Sequence, residues 1–85
     1  MRLHYAYSNP AEGWIDVVTL VGSENPMTAE SVTRDRHFPE VHPMLPEHAD
    51  ELLDSLGFAR RSGWIRLDES YCFEARLIRP QAELF

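Results

Sequence analysis

At Gly57 the spacing of the apolar residues in this chain switches from helical to alternating, and that switch restricts the fold more than any other feature of the sequence. Before it, Ala49, Leu52, Leu53 and Leu56 recur at i, i+3, i+4 and i+7, one stripe of a helix, with Glu47, Asp50, Glu51 and Asp54 on the flanks and the far side. The spacing predicts a helix from Pro46 to Leu56. Pro46 suits the first turn, where its missing N–H has no partner to lose, and Glu47 lies where the positive end of the helix dipole favours an anion. Gly57 accepts the left-handed conformation that ends a helix, which lets Phe58 fold back onto Leu53.

Beyond Gly57, alternation predicts a hairpin. Ile65 and Leu67, then Tyr71, Phe73, Ala75 and Leu77, form one apolar face across a turn at Asp68-Glu69-Ser70. A three-residue loop pairs Leu67 with Tyr71 and Ile65 with Phe73, leaving Trp64 outside beside Glu74 and Arg66 beside Cys72.

The first half of the chain adds two strands. Leu3, Tyr5 and Tyr7 alternate with His4 and Ala6 up to a break at Ser8-Asn9-Pro10. From Trp14 to Val21 both faces are apolar, Ile15, Val17 and Val21 on one and Trp14, Val18 and Leu20 on the other, the pattern of a central strand covered on both sides. Asp16 breaks the second face and needs an edge or a partner. Thr28 can cap a short helix from Ala29 to about Arg36, and Pro39, Pro43 and Pro46 make the next stretch a crossing loop anchored by Phe38, Val41, Met44 and Leu45. The expectation is an α+β fold: a small antiparallel sheet of about four strands covered by one well-defined helix and one weak helix. Residues 1–80 form a single domain and 81–85 a C-terminal tail.

Charge bounds the function. The net charge is −6, and the uneven split, ten acids to three arginines before Phe58 and four to five from there on, opposes bulk attraction to nucleic acid. A lone Cys72, no apolar run long enough for a membrane span and an N-terminus without a secretory core lead to a cytoplasmic protein. His37, Glu40, His42, Glu47 and His48 fall close together but match no metal-ligand spacing, so they read as loop residues making ordinary hydrogen bonds. Cys72 lies mid-strand, and with no serine elbow and no glycine-rich phosphate loop the chain reads as neither an enzyme nor a cofactor binder.

Three binding surfaces follow. Gln81, Leu84 and Phe85 end the chain with two large apolar side chains where a tail is normally polar. Their spacing resembles the bacterial sliding-clamp-binding peptide, a glutamine, two variable positions, then leucine or methionine and phenylalanine; Ala82 stands where leucine is commoner and Glu83 where serine or aspartate is usual. The resemblance implies an accessory or inhibitory protein that docks on the clamp, Gln81 orienting the segment while Leu84 and Phe85 fill a pocket. A second surface is the acidic helix face, Glu47, Asp50, Glu51 and Asp54, which could occupy a basic surface as a nucleic-acid mimic. The third is the set Arg60, Arg61, Arg66 and Arg76, which could track phosphates from the hairpin, although a neighbouring acidic helix opposes that use.

Overall fold

Trp14–Val21 (β2) pairs along its whole length with Arg2–Asn9 (β1), placing Leu3 opposite Leu20 and Ala6 opposite Val17. The turn between them closes because Gly13 takes a positive φ of 77° and its N–H reaches Asn9 O at 2.7 Å, while Asn9 Oδ1 accepts the Glu12 N–H at 3.0 Å. In the computed structural model, which describes residues 2–41, 43–67 and 72–80, these two strands are the centre of one antiparallel sheet of six.

The expected helix from Ala29 to Arg36 is instead a strand, Ser31–His37 (β3), paired with β2 from Ile15 opposite His37 to Val21 opposite Ser31. Ala29 and Val32 gave a helix almost no apolar stripe, and an isolated helix of that length cannot recover its nucleation cost. Against β2, by contrast, the β-branched Val32 and Thr33 gain a continuous ladder. The fold is therefore six strands with one helix among the described residues, not four strands with two.

On the other side of β1 lies Phe73–Ile78 (β6), with Ala6 opposite Ala75 and Tyr7 opposite Glu74. Its outer edge is filled by two short strands, Ala59–Arg60 (β4) and Ile65–Arg66 (β5). They act as one edge strand with a bulge between them. Arg61 N–H still reaches Arg76 O at 2.7 Å, after which the Ser62 hydroxyl accepts the Arg76 N–H at 3.0 Å in place of a backbone carbonyl. The bulge corrects the expected register by one residue: Ile65 faces Glu74 and Arg66 faces Phe73. A one-residue slip exchanges the faces, so Ile65 is 60% exposed and Trp64 packs against the core instead. Burying the larger indole favours this register. The expected turn residues, 68–71, lie outside the described residues.

Pro46–Ser55 (α1) forms as its spacing predicts and lays Ala49 and Leu53 on the sheet, where they meet Met44, Phe58, Ala6, Ile15, Val17 and Leu77, with Leu52 and Leu56 at the margin. At its start, Leu45 N–H donates to His48 Nδ1 at 3.0 Å. Its end is a Schellman stop: Gly57 at φ 86°, Gly57 N–H to Asp54 O at 3.0 Å and Phe58 N–H to Leu53 O at 2.9 Å. Of the loop anchors, only Met44 is buried; Phe38, Val41 and Leu45 are 65%, 37% and 42% exposed. The crossing loop is thus held by one side chain and by the helix it leads into.

Candidate functional site

The helix and the hydrophobic core cluster lie on one face of the sheet, and among the described residues no helix packs on the opposite face. That open face collects Tyr5, Tyr7, Trp14, Asp16, Val18, Leu20, Arg34, Arg36, Glu74 and Arg76 by strict alternation along β1, β2, β3 and β6. β2 is central, as its pattern predicts, but among the described residues no helix lies over its second face. Val18 and Leu20 are nonetheless only 5% and 3% exposed, Val18 standing between Tyr5 and Arg34 in the ladder and Leu20 between Leu3 and Val32.

Asp16 is the pivot. Its side chain is completely buried, and Arg36 holds it with two bonds, Nε to Oδ1 at 2.7 Å and Nη2 to Oδ2 at 3.0 Å, while Arg34 Nη1 reaches Oδ2 at 3.3 Å. Both arginines come from β3, two residues apart on one face, with Arg36 directly opposite Asp16 in the ladder. Their outer atoms stay in water, at 60% and 44% side-chain exposure. The bond to Asp16 raises the Arg36 pKa further, so its charge is permanent.

The same guanidiniums rest on aromatic rings. Arg36 lies 3.9 Å from the Trp14 ring centroid and Arg34 5.9 Å from that of Tyr7. Trp14 is fixed in turn by its indole N–H, which donates to Glu12 Oε2 at 2.6 Å. Next across the sheet, Tyr7 is pushed up to about 12, chiefly by burial and then by the Glu74 carboxylate opposite it in the ladder. A tyrosine whose folded pKa exceeds its unfolded value stabilises the fold fully below pH 10.0, and loses that contribution as pH rises through about 12. In an ultraviolet titration, one phenol should ionise near pH 12, and Tyr7→Phe should remove that step.

The residues singled out in the sequence do not come together. Glu47, Asp50, Glu51 and Asp54 stand on α1, behind the sheet, and Asp50 is already engaged by Arg60, with Nε and Nη2 at 2.7 and 3.0 Å. That bond lowers the Asp50 pKa. The buried indole N–H of Trp64 also helps lower it, without reaching hydrogen-bond geometry. Arg60 therefore belongs to the helix face, whereas Arg61 and Arg76, paired in the ladder, belong to the open face, and Arg66 stands opposite Phe73. The four hairpin arginines are not one patch. His48 is occupied by the helix start, and among the described residues no three His, Cys, Asp or Glu side chains gather as a metal site; His42 lies outside those residues. Gln81, Leu84 and Phe85 also lie outside them. Among the described residues no helix is long and apolar enough to cross a membrane.

One apolar hollow of about 360 Å³ opens beside the start of α1, lined by Met44, Leu45, Pro46, Ala49, Trp64 and Phe73. It contains no charged group to orient a ligand. Sequence reasoning found Asp16 as an anomaly but missed its partners, since reading Arg34 and Arg36 as helical hid their two-residue repeat. No protein-family model, curated protein or solved structure matches this chain, so the site rests on its own geometry.

Proposed function

We propose that this protein is a non-catalytic binding module whose contact surface is the open face of the sheet, and that its partner is an anionic chain. The observation that carries this reading is the fixed array of Arg34 and Arg36 on Trp14, Tyr7 and Asp16. With Arg61 and Arg76 the face holds four arginines against three acids, Asp16 bound by Arg36, Glu12 bound by the Trp14 indole, and Glu74 opposite Tyr7. The net charge of −6 is not an objection. The acids of α1 stand roughly 10 Å behind the contact surface, beyond the ~8 Å over which salt at physiological strength screens a charge.

The test is retention on immobilised heparin at about 0.15 M salt, where that screening holds. The intact protein should be retained, Arg34→Gln/Arg76→Gln should pass through, and Arg79→Ala, which removes a guanidinium stacked on Phe58 at 4.6 Å, should behave as the intact protein. Equal loss in all variants would make the attraction diffuse and remove the open face as its source.

The C-terminal residues support a second reading. The order Gln81, Leu84, Phe85 favours docking on the bacterial sliding clamp, with two apolar anchors and one amide giving roughly micromolar affinity. Calorimetric titration of the clamp should show such binding, lost on ending the chain at Pro80 and nearly insensitive to salt. No heat with the intact protein removes this reading. The two are compatible, since one uses the sheet and the other the tail.

A further inference from the structure

Resting on the reading of the open face as an anion-binding surface, we infer that its ligand is single-stranded nucleic acid, held by stacking on the Trp14–Arg36 pair and by phosphate contacts from the outer arginines. Charge alone would suit any polyanion, and the arrangement of flat groups selects among them. Planar surfaces from three neighbouring strands lie side by side: Arg36 on β3, Trp14 on β2, and Tyr5 and Tyr7 on β1. Neighbouring strands are about 4.8 Å apart, so such groups tile a surface that unpaired bases can lie against. A guanidinium already flattened on an indole at 3.9 Å offers its outer face to a base without further ordering. Arg76 and Arg61, adjacent in the ladder on the far side of β1, and Arg34, 60% exposed, stand where a backbone crossing the strands would bring its phosphates.

An acidic peptide has the charge but lacks the bases. A duplex has both but keeps its bases stacked within, where a flat sheet cannot reach them.

The experiment is titration of the intact protein with fluorescent ten-residue oligothymidine, oligouridine, a ten-base-pair duplex and polyglutamate. Both single strands should bind, and the ratio of their affinities reports whether the 2′-hydroxyl contributes. The duplex and polyglutamate should bind at least about tenfold more weakly, the loss of one stacked base. Quenching of tryptophan fluorescence by the single strands should vanish in Trp14→Phe and persist in Trp64→Phe, since Trp64 lies on the other side of the sheet. Arg61→Gln/Arg76→Gln, two exposed positions, should reduce the slope of log affinity against log salt by about 1.4. Equal binding of polyglutamate or duplex overturns the single-strand inference while leaving an anion-binding face intact. Absence of binding to every probe overturns both.

Discussion

Replacing Arg34 and Arg36 together by alanine is expected to destabilise the protein more than removing the acid they hold. With both guanidiniums gone, the Asp16 carboxylate loses three hydrogen bonds and both opposite charges, and since the truncation also opens it to water the cost is about 2 to 3 kcal/mol, below that of an ion stranded in a closed core. Removing the acid differs, because the arginine side chains are 60% and 44% exposed and can turn into water. Asp16→Val, which roughly fills the vacated volume and suits a strand, should therefore cost less than about 1.5 kcal/mol. Urea denaturation of the two variants measures the difference directly. If Asp16→Val proved the more damaging, the buried carboxylate would be the source of stability and the arginines only its ornaments. The comparison bears on function, since an acid kept in a sheet where valine would serve is best understood as the device that fixes Arg34 and Arg36 on their aromatic neighbours.

The other large effect belongs to the core. Leu53 is 1% exposed, packs among Ala49, Phe58 and Leu77, and supplies the carbonyl that accepts the Phe58 N–H at 2.9 Å. Leu53→Ala should cost about 3 kcal/mol from lost burial and the cavity left behind. A domain of this size is held by roughly 5 to 10 kcal/mol, so about 30 to 60% of its stability rests on this side chain. The melting temperature should fall by about 12 to 24 °C, measured by circular dichroism. A fall of only a few degrees would mean that α1 is peripheral to the fold.

What was legible in the sequence was whatever depended on local chemistry. Pro46, the stripe Ala49, Leu52, Leu53, Leu56 and the stop at Gly57 act within one helix and its first following residue, and the helix forms as the spacing predicts. β1 and β2 were equally plain, because alternation and a glycine turn act over adjacent residues. The failures depended on contacts distant in sequence. Val32, Thr33, Arg34 and Arg36 form a strand because β2 offers them a ladder and Asp16 offers a counter-charge, eighteen and twenty residues away from Arg34 and Arg36. The register at Ile65 turned on a bulge at Ser62 that a three-residue loop does not foresee. The open face was hidden for the same reason. Its residues come from four strands, and only their register makes Trp14, Tyr7, Arg34 and Arg76 neighbours.

The same topology answers the charge argument raised by the sequence. An acidic helix beside arginines opposes nucleic-acid binding only if both meet the ligand together, and α1 and the arginines Arg34, Arg36, Arg61 and Arg76 stand on opposite sides of one sheet.

The central claim is that the sheet face opposite α1 is the working surface. The most direct test is nuclear magnetic resonance of the backbone amides during titration with ten-residue oligothymidine. The account predicts that the shifts gather at Tyr5, Tyr7, Trp14, Arg34 and Arg76, along with the Trp14 indole N–H, and spare Pro46–Ser55. Shifts confined to α1 or to residues 81–85, or a spectrum that does not move at saturating oligonucleotide, would contradict it.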